Sequence, residues 1–118
     1  MDNNIDPKFF NQVAQNAHML GGAVIGLLAL LFLPHSLVFI ILGFAVVTGV
    51  KEFWYDQNYE NATTRGSNLN DWIHYQIGWM ATGSLYYGVY GSHWWFLGFA
   101  ACIGLAFVPW ITTLGKKP

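Results

Sequence analysis

Two long stretches of the chain carry no Asp, Glu, Lys or Arg: Phe9 to Val50, and Trp72 to Gly115. Inside them apolar residues do not alternate with polar ones, as the strands of a membrane β-barrel would require, so the pattern predicts helices. One crossing of a bilayer core takes roughly 20 apolar residues, and each stretch holds about two such lengths. Each also breaks once near its middle. Leu33-Pro34-His35-Ser36 stops a helix at proline and offers serine as the next cap, and Tyr90-Gly91-Ser92-His93 does the same with glycine and serine. Four helices are predicted, near 13–33, 36–55, 71–90 and 93–114, each about 30 Å long at ~1.5 Å per residue. The expected fold class is all-α: an integral membrane four-helix bundle of two transmembrane hairpins, forming a single domain over 1–118.

Smaller features fit around these spans. Pro7 to Gln15 reads as a short N-terminal interfacial helix, with Phe9, Phe10 and Val13 toward lipid. The 56–70 loop is polar, and Asn68 and Asp71 have the spacing to cap the third helix. Aromatic residues such as Trp54, Trp72, Tyr90, Trp94 and Trp110 gather at the span ends, as an interfacial belt does.

Composition strengthens the membrane reading. Only 9% of the 118 residues are charged and 54% are hydrophobic, whereas soluble domains carry about 25% charged residues. A net charge of -1 excludes an ordinary basic nucleic-acid binder, so no nucleic-acid partner is expected. The single cysteine, Cys102, excludes an intrachain disulfide or a cysteine-based metal site. The opening residues Met1-Asp2-Asn3-Asn4 lack the basic start of a signal peptide. With four crossings, all five basic residues (Lys8, Lys51, Arg65, Lys116 and Lys117) fall on one side and none on the other. The positive-inside rule then predicts a multi-pass protein of the cell (inner) membrane with both termini cytoplasmic.

Helices associate in lipid through small residues at four-residue spacing. Gly22 and Gly26 mark such a stripe on the first helix, Gly49 on the second, Gly78 on the third and Gly98 on the fourth. His18, Glu52, Asp56, Asp71 and His74 extend these stripes, each within about two turns of the cytoplasmic end. Ionisable groups inside a span face the bundle and seek partners, so one polar cluster is expected at the cytoplasmic mouth. Lys51 is expected to snorkel to the headgroups instead.

Several chemistries suit such a cluster. It can be a structural lock of hydrogen bonds, with carboxylates favoured near the start of the third helix. Imidazole and carboxylate together also suit a divalent metal. His18 and His74, each four residues before a glycine, could ligate a b-type haem from opposite helices. A proton-transfer site using Glu52 or Asp71 as base is a further option. The chain has no Gly-x-Ser-x-Gly, phosphate-cradling loop or Cys–His pair, so no catalytic residue is assigned.

The order of these residues also carries a family likeness. His18 opening the first helix, Lys51-Glu52 with Asp56 closing the second, and Asp71 ahead of Gly78 and Gly83 follow one another across a polar loop. Over about residues 14–84 this resembles the VanZ-like (teicoplanin-resistance type) family of small membrane proteins. The resemblance implies a stand-alone envelope protein whose Glu/Asp/His site acts on or senses lipid or cell-wall intermediates. Size and aromatic content lead instead to a non-catalytic accessory subunit of a larger membrane complex, of the respiratory, photosynthetic or copper membrane monooxygenase type. Its partners would be other integral membrane subunits and lipids. A haem or metal electron carrier is the third expectation.

Overall fold

The computed structural model describes residues 7–59 and 68–114. Every element among them is helical, and no strand occurs among the described residues. Helix α1 spans Pro7–Phe32. The segment expected to form a separate interfacial helix is its first two turns, continuous with the rest, because no Gly or Pro interrupts Lys8 to Leu20. Leu33 leaves the helix at φ -137° and ψ 52°, as the residue before a proline must.

A single 3₁₀ turn, Pro34–Ser36, leads into α2 (Leu37–Val50). The rod then passes through one π-helical turn, Lys51–Tyr55, into the short α3 (Asp56–Tyr59). Ser36, expected as a cap, makes no side-chain capping bond, because the 3₁₀ turn already runs helically into α2. Helix α4 covers Asn68–Tyr90 and α5 covers Trp95–Leu114. In the turn between them the Trp94 amide donates to Ser92 Oγ at 3.4 Å, and the Trp95 amide to the Ser92 carbonyl at 3.1 Å. The central part of the 56–70 loop, with Arg65, Lys116 and Lys117, lies outside the described residues.

Helix α4 is the centre of the molecule. Helix α1 packs along it, α5 lies on it, and the α2 rod touches both α1 and α4 more lightly. The principal partner of α1 is thus α4 and not α2, so the bundle is not assembled from two self-contained hairpins. Glycine explains the choice. A Cβ on Gly22 would fall on the Tyr75 carbonyl oxygen, and one on Gly78 would strike the Met19 carbonyl and stand 2.8 Å from the Ala23 nitrogen. At Gly26 the added carbon would meet Trp79 Cβ at 3.0 Å. The α1 and α4 backbones therefore touch at a notch that only small residues allow. Across it, Thr82 Oγ1 donates to the Ala23 carbonyl at 3.1 Å. Gly49 and Gly98 face side chains only, those of Trp72 and Ser84.

Among the described residues the buried apolar side chains are Ala29, Leu30, Ile77, Ala81 and Cys102, and the last three cluster together, flanked by Met19 and Phe99. Among the described residues two helical segments are long and apolar enough to cross a membrane, Gln12–Phe32 (21 residues) and Pro34–Asn58 (25 residues). The apolar stretch Trp95–Val108 is shorter. Helix α4 does not qualify, since Asn68, Asn70, Asp71, His74 and Gln76 dilute its first half.

Candidate functional site

Three elements deliver polar side chains to one end of the α1–α4 contact. Their placement follows from four-residue spacing. On α1, Gln15 and His18 precede Gly22 on the face turned toward α4; Gln12 and Gln15 are buried, and His18 is nearly so. On the α2 rod, Thr48, Glu52 and Asp56 are all buried. Every fourth residue of a regular α-helix drifts by about 40° around the axis. The wider π turn at Lys51–Tyr55 counters that drift and keeps Glu52 and Asp56 in line with Thr48. On α4, Asp71 and His74 are buried in the first two turns.

Of the expected residues, the fold brings His18, Glu52 and Asp71 into one group. One donor atom from each lies within 4.8 Å of the other two. His18 Nδ1 stands 3.8 Å from Asp71 Oδ1, too far for a hydrogen bond, and its ring leans on Tyr75 with centroids 4.7 Å apart. Asp56 and His74 are not members of this group. Asp56 Oδ2 accepts from Lys51 Nζ at 2.7 Å. His74 Nδ1 meets the Asn70 carbonyl of its own helix at 2.7 Å, and since a carbonyl can only accept, that nitrogen carries the proton.

Lys51 does not snorkel away from the cluster. Its ammonium bridges Glu52 Oε1 and Asp56 Oδ2, both at 2.7 Å, and sits 6.0 Å from the Tyr75 ring centre. Leaving the buried Glu52 and Asp56 carboxylates without a cation is costly, which keeps the lysine head between them. Glu52 Oε2 remains without any hydrogen-bond partner, although Glu52 is fully buried.

The side chains missed in the sequence are the glutamines. Gln12 and Gln15 are as deeply buried as Glu52, and Gln15 Nε2 donates to Asp71 Oδ1. A second polar chain runs beside the cluster. Trp79 Nε1 donates to Gln76 Oε1 at 2.8 Å, Gln76 Nε2 to Thr48 Oγ1 at 3.3 Å, and Trp72 Nε1 to the Ala45 carbonyl at 2.9 Å. The last two bonds tie α4 to α2, and the first holds the Gln76 amide from within α4.

The opposite half of the bundle is apolar. A cavity of about 510 Å³ opens there, lined by Gly26, Leu30, Leu37, Trp79 and Cys102 among others. Cys102 is packed against Ile77 and Ala81. A haem ring between His18 and His74 does not fit this arrangement. Gly22 and Gly78, the glycines four residues after these histidines, leave no space for it, because each lies against the backbone of the facing helix. No protein family model, no curated protein and no solved structure matches the chain.

Proposed function

We propose that this chain is a membrane-embedded helical bundle serving as a non-catalytic accessory subunit of a larger membrane complex. The observation that carries this reading is an inverted distribution of side chains. Among the described residues the three largest fully buried side chains are Gln12, Gln15 and Glu52, while Leu20, Phe32, Val38, Phe39, Val46 and Val47 lie exposed. Water penalises both halves of that pattern, whereas a bilayer favours both. A core helix of a soluble protein would be mostly covered. Here only 28% of the apolar stretch of Gln12–Phe32 and 11% of that of Pro34–Asn58 is buried. The exposed α2 face, with Val38, Phe39, Leu42 and Val46, offers lipids or a neighbouring subunit an apolar wall.

Purification of the native protein in mild detergent tests the proposal. The expected result is extraction from membranes only by detergent, together with a stoichiometric membrane partner. Migration as a lone small species would overturn the subunit role.

A second reading follows from a specific observation. His18, Glu52 and Asp71, three of the positions that carry the VanZ-like resemblance, are those whose donor atoms converge. That convergence supports a stand-alone envelope protein with a working polar site. Under this reading Glu52→Gln abolishes the cellular phenotype while leaving a folded protein; retained phenotype removes it.

A further inference from the structure

We propose that His18, Glu52 and Asp71 form a binding site for one divalent first-row transition metal ion, of the Mn(II) to Zn(II) class. The assignment does not depend on what the bundle partners with.

Geometry comes first. One donor atom from each of the three side chains lies within 4.8 Å of the others, and the His18–Asp71 pair is at 3.8 Å. Donors around zinc at about 2.0–2.2 Å stand roughly 3.3–3.6 Å apart when tetrahedral. Side-chain rotation of about an ångström therefore closes the triad on an ion. One imidazole with two carboxylates selects a transition metal over Mg(II) or Ca(II), which take oxygen ligands alone.

The second observation is an unpartnered donor. Glu52 is 0% exposed, and its Oε2 has no hydrogen bond, although Oε1 is held by Lys51. His18 Nδ1 is likewise buried with no hydrogen-bond partner. A structural lock satisfies its polar atoms; here His18 and Glu52, two members of the converging group, each keep a buried polar atom without a hydrogen bond. Gln15 Nε2 fixes Asp71 by donating to Oδ1, as groups behind a metal ligand commonly do.

Charge is the third. Among the described residues Glu52, Asp56 and Asp71 face one cation, Lys51, and with all three carboxylates ionised and the histidines neutral the formal charge of this buried cluster is 1 - 3 = -2. Isolated buried charge is costly, and one divalent cation cancels this excess. His74 does not join the triad, because its Nδ1 is engaged by the Asn70 carbonyl and its Nε2 is not among the converging donors.

The test uses full-length protein without a histidine tag, purified in detergent and stripped with a chelator. Zn(II) is then added, and bound metal per chain and the unfolding midpoint are measured after gel filtration. About one zinc per chain and a metal-dependent rise in midpoint are expected. His18→Ala, Glu52→Gln and Asp71→Asn should each weaken binding tenfold or more, while His35→Ala and His93→Ala, in the exposed turns, should bind as wild type. Should the triad variants fail to fold, Co(II) added to the wild type decides: visible absorption bands displaced by Zn(II) support the site. No stoichiometric zinc, binding indifferent to the triad, or binding lost with His35 or His93 overturns it.

Discussion

Lys51 shows how a single side chain organises the polar centre. Its ammonium is shared by Glu52 and Asp56 at 2.7 Å each, and both carboxylates are buried. Lys51→Met leaves two carboxylates close together without their cation. Losing one partner of a buried pair costs about 3–5 kcal/mol, and partial exposure of the lysine (42%) discounts this to about 1–3 kcal/mol. Thermal unfolding in detergent, with chelator present, should show that loss, and adding Asp56→Asn should recover much of it. An unchanged midpoint would mean the bridge is not structural. Gln15→Leu tests the neighbouring contact: it removes the donor to Asp71 and should cost about 1–3 kcal/mol by the same measurement. These residues were unequally legible in the sequence. His18, Glu52 and Asp71 stood out because an ionisable group inside or beside an apolar run has few places to go. Gln12 and Gln15 did not, since neutral amides near an N-terminus read as ordinary wet helix surface. Lys51 has a long flexible stem, so its sequence position could not reveal whether its head would turn toward lipid or toward Asp56.

At the level of helices, the α1–α4 contact rests on the absence of side-chain carbon. Gly78→Val would drive a branched side chain into the Met19 carbonyl and the Ala23 amide, both backbone, which cannot yield without separating the helices. A loss of about 3 kcal/mol or more, seen as a lower unfolding midpoint, is expected. Gly43→Ala and Gly104→Ala are the controls. Nothing lies within 4 Å of a Cβ at either position, and alanine favours helix by up to about 1 kcal/mol. These two should be neutral or mildly stabilising, and equal damage at all three glycines would contradict the notch. The helix breaks at Pro34 and Gly91 were legible because proline and glycine act locally. Pairing was not: stripes of small residues mark a face but not its partner, so α1 could equally have been matched to α2. The π turn was hidden too, because Lys51-Glu52-Phe53-Trp54-Tyr55 contains neither Gly nor Pro. What reveals it is the shared burial of Thr48, Glu52 and Asp56, which exists only once the chain is folded.

For the whole molecule the proposed membrane bundle makes a statement about which ends share a side. The polar centre and the apolar cavity occupy opposite halves of the bundle, and the turns carrying His35 and His93 close the apolar half. If the bundle stands across the bilayer, these two exposed turns face one compartment, and Asn58, at the far end of the α2 rod, faces the other. Cys102 is buried, so it leaves a quiet background for single-cysteine labelling. His35→Cys and His93→Cys should react with a membrane-impermeant maleimide from the same side of sealed vesicles, and Asn58→Cys only from the opposite side. On the proposed topology the Asn58 side is the cytoplasmic one. Labelling of His35→Cys and His93→Cys from different sides, with Asn58→Cys still opposite His35→Cys, would mean that α4 does not cross. The dilution of α4 by Asn70, Asp71, His74 and Gln76 would then reflect a helix lying partly in water. Labelling on one side would instead show that α4 crosses although it is too polar to qualify alone. Its polar half would be shielded by α1 and the α2 rod, so that the bundle, and not each helix separately, meets the solvent requirement of the membrane.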